Sequence, residues 1–136
     1  MYPESIVKPM KIELVTAGFE DLTTPEAVEN AIKQEGTVLM VVNSVCGCAA
    51  GACRPGVKMS LSHSKLPAKL TTVFAGFDTE AVKTAREHFA PYPPSSPCIA
   101  LFKNGELVHM VERHNIEGRT AGMIAEHLKM VYDEFC

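Results

Sequence analysis

The feature that most constrains this chain is the run Val38-Leu39-Met40-Val41-Val42-Asn43, which ends three residues before Cys46-Gly47-Cys48. Five of these six positions are apolar and three are valine. The pattern predicts a strand buried on both faces rather than a helix. Gly47, Ala49, Ala50, Gly51 and Ala52 follow the first thiol. Small residues there suit a tight strand-to-helix turn that opens a closely packed helix. Two thiols are thus expected where a buried strand hands over to a helix.

That position has chemical consequences. The first amides of a helix are unpaired donors at the positive end of the helix dipole, so they favour a thiolate over a thiol. A thiolate is the nucleophilic form of cysteine. A bridge between Cys46 and Cys48 would close a small, strained ring, and strained disulfides are labile and oxidising rather than structural. The pair reads as one that forms and breaks in turnover.

The rest of the chain bounds this reading. Its 136 residues are one domain's worth, and 46% hydrophobic with 21% charged residues is ordinary for a globular protein. A net charge of −3 offers no basic field for nucleic acid, and no apolar run approaches the length of a membrane span. The N-terminus lacks the pattern of an export signal. Five cysteines, an odd number, argue against a permanent disulfide framework. A cytoplasmic location, with neither nucleic acid nor membrane as a partner, is the expectation.

Pro3 and Pro9 predict an extended arm over residues 1–11, followed by a short strand at Ile12 to Val15. Thr24-Pro25-Glu26 opens an amphipathic helix, Thr24 being its N-cap, and Gly36 stops it. After the buried strand over 37–44, a helix is expected from about Gly47 to His63, kinked or interrupted at Pro55. A second core strand covers Lys69 to Phe74. Asp78 should cap a helix whose Ala81, Val82, Ala85 and Phe89 share one face. A proline-rich loop then leads into a hairpin, Cys98 to Phe102 and Glu106 to Val111, turned by Asn104-Gly105. A last helix is expected from about Ile116 to Phe135. Strands that alternate with helices and close with a hairpin imply a single α/β domain over 1–136, a three-layer α/β/α sandwich on a central mixed sheet. Ligands of such sheets lie beyond the carboxyl ends of the strands, where Cys46 falls.

The order of elements, the thiols at a strand-to-helix turn and the proline before the hairpin resemble the thioredoxin fold. More narrowly, Val42-Asn-Ser-Val-Cys-Gly-Cys-Ala-Ala-Gly51 with Arg54-Pro55 resembles the bacilliredoxin family, small cytosolic bacterial proteins with a Cys-Gly-Cys site. The likeness extends from Met1-Tyr2-Pro3 to Cys136. It implies a thiol-disulfide oxidoreductase that removes bacillithiol from mixed disulfides on client proteins, with Cys46 attacking and Cys48 resolving. It also implies that Pro97 is a cis-proline facing the thiols. No bound cofactor is then needed: a low-molecular-weight thiol is the co-substrate, and S-thiolated clients and a reductase are the partners. Asn43 and Ser44 would shape the approach, Gly47 would give the turn its freedom, and Ser96-Pro97 would pair with an extended substrate.

Other readings stand beside this one. Cys53 and Cys98 are either accessory thiols of the site or buried core cysteines, and Cys136 reads as a frayed terminal residue. The same attacking thiolate could rearrange protein disulfides as an isomerase does. Cys46, Cys48, Cys53 and Cys98 could instead hold a metal or an iron-sulfur cluster, although their spacing matches no strong zinc pattern. A redox sensor without turnover is a further possibility. Arg54 reads by default as a solvated helix residue, the charges over 112–134 as a wet helix face, and the five histidines lack ligand spacing.

Overall fold

The computed structural model describes residues 1–136. The predicted buried strand is β2, Thr37–Asn43, and all seven of its residues are buried. Alternation explains why: Val38, Met40 and Val42 pack into one core, and Leu39 and Val41 into another on the opposite face. β2 pairs in parallel with β3, Lys69–Phe74, and antiparallel with β4, Cys98–Lys103, which turns into β5, Glu106–Val111. A two-residue strand β1, Glu20–Asp21, completes the mixed sheet in the order β1-β3-β2-β4-β5.

Two helices cover one face, α2 at Pro25–Ile32 and α4 at Thr79–Glu87. The other face is covered by α1 at Glu4–Val15, α3 at Arg54–Ser60 and α6 at Ala121–Phe135. The short α5, Arg113–Ile116, follows β5 and adds Ile116 to that second core. This is the expected three-layer sandwich.

Local signals act as predicted at several ends. Thr24 accepts a hydrogen bond from the Ala27 amide, with Pro25 in the first helical turn. Asn104 and Gly105 both take positive φ, as the two-residue hairpin turn requires, and the Asn104 side chain also accepts from the Gly36 amide at 2.8 Å.

Four expectations fail. Residues 1–11 are not an arm and Ile12–Val15 is not a strand: α1 runs from Glu4 to Val15 with Pro9 inside it. Tertiary contacts outweigh the missing amide. Val7 and Leu14 are buried, and the Lys11 ammonium lies 3.0 Å from Asp21 and 2.7 Å from Asp78. That ion pair is also why the Asp78 side chain makes no capping bond to α4. The last helix is in fact two, parted at Gly118 with φ +77°, and α6 begins afresh where Thr120 accepts from the Met123 amide.

Pro55 does not interrupt its helix. The five residues before α3, Ala49–Cys53, are wound as a π-helix. The wider winding spaces the carbonyls ahead of the proline ring, and the chain continues helically to Ser60.

Candidate active site

The carboxyl end of β2, the start of β4 and the end of β5 meet at one edge of the sheet. Val42 pairs with Cys98 and Ile99 with Val111, so Pro97 lies beside the residues that lead from β2 into the thiol turn, and Arg113 lies just beyond. The Ser96–Pro97 peptide is cis, and so is Ala90–Pro91.

Cys46 and Cys48 are both half-buried free thiols with sulfurs 2.8 Å apart. Their environments push them in opposite directions. For Cys46, burial alone would raise the pKa. Hydrogen bonds to its sulfur from the Cys48 thiol, the Ala49 amide, the Ser44 hydroxyl and the Cys48 amide outweigh burial, and the net shift is downward. Cys48 is pushed up by burial first, then by its hydrogen bond to Cys46 and the charge there, against a smaller pull from Arg113. Of the coupled pair, Cys46 is the sulfur that gives up its proton first and Cys48 the one that keeps it longer. Ser44 also accepts the Cys46 amide at 3.2 Å, which ties the backbone of the thiol turn.

Beneath the turn lies a polar knot. Arg54 is only 2% exposed, which corrects its reading as a solvated residue. It pairs with Glu13 at 3.1 Å and donates to the Asn43 side chain at 3.0 Å and the Ser44 carbonyl at 2.8 Å. Asn43, itself 1% exposed, accepts from the Ser44 amide and donates to the Met10 carbonyl. Its side chain is thus spent inside the protein, where it braces the end of β2 instead of meeting a substrate.

Gly47, between the two thiols, is exposed. Its φ is not in the left-handed region, and a Cβ there would meet nothing. The dithiol form makes no demand for glycine, because the small ring is not closed. The exposed residue leaves the space above the sulfurs uncovered.

The remaining cysteines are not accessory thiols. Cys53 is fully buried in the α1/α3/α6 core and Cys98 is buried in the α2/α4 core. Burial drives the Cys53 pKa far upward and pushes Cys98 up to about 12, so neither supplies a thiolate. With these two on opposite faces of the sheet, the proposed four-thiolate set is not assembled, and no three His, Cys, Asp or Glu side chains converge to hold a metal ion. Cys136 is not frayed: its amide closes α6 on the Tyr132 carbonyl, and its thiol is hydrogen-bonded to Thr37.

Arg113, at the start of α5, is more than one charge of a wet helix face. Its guanidinium pairs with Glu117 and donates to the Ser96 carbonyl at 3.2 Å, while its amide donates to the Ser95 hydroxyl at 3.3 Å. Its hydrogen bond to Glu117 first, and then the charge of Cys46 and Cys48, hold the guanidinium pKa above its ordinary value. No spacing in the sequence marks it, since the contact depends on the register of β4 and β5.

A reactive dithiol at the carboxyl edge of a mixed sheet, beside a cis-proline loop, defines a thiol-disulfide oxidoreductase of the thioredoxin fold. The fold is shared with mitochondrial thioredoxin 3 of Saccharomyces cerevisiae in its oxidised form, with TM-score 0.59, 15% identity and coverage of 90% of this chain and 99% of that one. It is likewise shared with a mutant thioredoxin of Halobacterium salinarum, TM-score 0.60 at 15% identity, covering 88% and 91%. Residues 2–136 match the family model described as disulphide isomerase. A bacilliredoxin of Cytophaga hutchinsonii is 70% identical over 134 residues, covering 98% of this chain and 99% of its own. One of Koribacter versatilis is 49% identical over 137 residues, covering 100% and 94%. The chain belongs to the bacilliredoxin family.

Proposed function

We propose that this oxidoreductase strips a low-molecular-weight thiol, bacillithiol or a close equivalent, from mixed disulfides on client proteins. The carrying observation is the pair of thiols 2.8 Å apart whose surroundings hold the pKa of Cys46 down and push that of Cys48 up. The Cys46 thiolate attacks the sulfur of the small thiol, and the client leaves as a thiolate. Cys46 then holds the small thiol as a mixed disulfide. The Cys48 thiol, once deprotonated, attacks Cys46, forms the Cys46–Cys48 disulfide and expels the small thiolate. Alternatively a second small thiolate attacks the adduct from solution, forms the symmetric disulfide of the small thiol and returns Cys46 as the thiolate without closing the bridge. Return of the bridge to the dithiol takes two electrons and two protons from a reductase or an external dithiol. Ser96-Pro97 offers backbone for an extended client to pair with. The cytoplasm, where five cysteines stay reduced, is the compartment that suits this cycle.

Rearrangement of protein disulfides is the second reading, and the description of the family model speaks for it. It would use the same attack by Cys46 but on a client's own disulfide.

Both are tested with a client peptide carrying a fluorescent small thiol and with a scrambled protein disulfide. Dethiolation predicts release abolished in Cys46→Ala and a trapped adduct in Cys48→Ala. Equal release by the two variants rejects the assigned roles, and recovery of native pairing without release of the small thiol transfers the function to isomerisation.

A further inference from the structure

Dethiolation by a thiolate poses an electrostatic problem when the small thiol transferred to Cys46 carries an acidic group. A second negative charge must approach Cys46, and a cation beside the sulfurs would relieve the repulsion. The chain as a whole is no help, since its net charge is −3. A local positive charge is required.

Arg113 is placed to supply it. It follows β5 at the sheet edge that also carries Pro97 and the thiol turn, as the pairings Val42 with Cys98 and Ile99 with Val111 fix. Its Nε is taken by Glu117 and one Nη1 hydrogen by the Ser96 carbonyl. Of the five N–H donors of a guanidinium, three remain unspent. The side chain is 45% exposed, so those donors are open to solvent. The two tethers hold the planar group in one orientation, which lowers the entropy lost when it grips a carboxylate. Arg54, the other arginine near the turn, is 2% exposed with its bonds made inside, and cannot serve.

We propose that Arg113 forms the subsite for an acidic group of the small thiol, so that the enzyme selects mixed disulfides of carboxylate-bearing low-molecular-weight thiols over those of neutral or cationic ones. This rests on the dethiolation reading and adds the class of thiol to it. Glu117 keeps Arg113 in place and competes for it, which holds the affinity modest and permits release of the product. Selectivity should therefore fall in the range of an exposed ion pair, about fivefold at most.

The test uses one client peptide disulfide-linked in turn to mercaptosuccinate, 2-mercaptoethanol and cysteamine. Wild-type protein is expected to show kcat/KM in that descending order, with the spread shrinking as salt is raised. Arg113→Gln should cut the preference for mercaptosuccinate over 2-mercaptoethanol roughly fivefold, and Arg113→Lys should restore part of it. Alkylation of Cys46 against pH in each variant reports the nucleophile separately. A uniform loss on all three substrates in Arg113→Gln, tracking a change in Cys46 reactivity, would overturn the subsite and leave Arg113 acting through the thiolate alone. No preference in the wild type overturns it while dethiolation stands. Failure of the wild type to release any of the three removes dethiolation itself, and the subsite with it.

Discussion

Replacing Arg54 with methionine isolates the knot beneath the thiol turn. The substitution keeps an unbranched side chain of similar reach and removes the donors. Glu13, 42% exposed, falls back on water at little cost. The Ser44 carbonyl and the Asn43 side-chain oxygen lie inside and lose donors at 2.8 and 3.0 Å. A hydrogen bond to a charged group contributes about 1.5–3 kcal/mol. Two such losses, set against the relief of no longer desolvating a guanidinium, leave a destabilisation of about 3 kcal/mol. The unfolding entropy near Tm, about 2.1 cal/mol/K per residue over 136 residues, is about 0.29 kcal/mol/K. Arg54→Met should therefore lower Tm by about 10 °C, read by calorimetry on the reduced protein. Since Ser44 leads directly into Cys46, the variant should also broaden the pH profile of Cys46 alkylation. An unchanged or raised Tm would refute the reasoning, because it would mean that desolvation of the guanidinium outweighs everything it holds.

Three further outcomes follow from the same geometry. Ser44→Ala and Cys48→Ala each remove a donor from the Cys46 sulfur, so the midpoint of Cys46 alkylation with pH should move up in both; a fixed midpoint in both would detach the low pKa from these hydrogen bonds. Burial holds Cys98 and Tyr132 protonated up to about 12, whereas the unfolded chain releases those protons nearer 9 and 10. Their contribution is complete below the unfolded values and is lost as pH climbs toward 12, at up to about 1.4 kcal/mol per pH unit for each group; Cys98→Ala and Tyr132→Phe should each flatten the alkaline fall of ΔG measured by urea titration. A Cβ on Gly56 would stand 2.7 Å from Ile124 Cβ and 3.0 Å from the Ala121 carbonyl, so Gly56→Ala should destabilise the contact between α3 and α6 by about 1–3 kcal/mol, a drop in Tm that an unaltered melting curve would disprove.

The parts of this protein that could be read in its sequence are those governed by short-range rules. Thr24 with Pro25, Asn104 with Gly105 and the unbroken apolar run of β2 each state their structure within a few residues. So does the pair Cys46 and Cys48, whose chemistry follows from one local position, the hand-over from strand to helix. The segment that departs from its local signals is decided at a distance. Pro9 sits in a helix because Lys11, clamped to Asp21 and Asp78, and the buried Val7 and Leu14 hold α1 against the sheet, whereas Pro55 falls where the sequence places it, in a helix whose winding changes just ahead of the ring. Gly118 and Thr120 do carry the signal of a helix end and a new cap, and attention to them would have divided the last helix correctly.

The two arginines show the same division at the site itself. In the sequence Arg54 and Arg113 are equally unremarked charges, one on a helix after the thiols and one past the hairpin. Burial separates them. Arg54 is turned inward, and every polar partner it has is part of the protein, so its role ends in holding Ser44 and Asn43. Arg113 is half-spent, tied by Glu117 and Ser96 yet open to solvent beside two sulfurs that differ in charge. A buried arginine whose bonds are all made inside the protein can only brace the turn above it. One that is exposed with donors left over, at the sheet edge that carries the dithiol, can also discriminate among the molecules that reach it. The place of Arg113 depends on the register Val42 with Cys98 and Ile99 with Val111, and a one-residue slip of β4 or β5 would turn the strand's side chains to the opposite face and carry Arg113 away from Ser96.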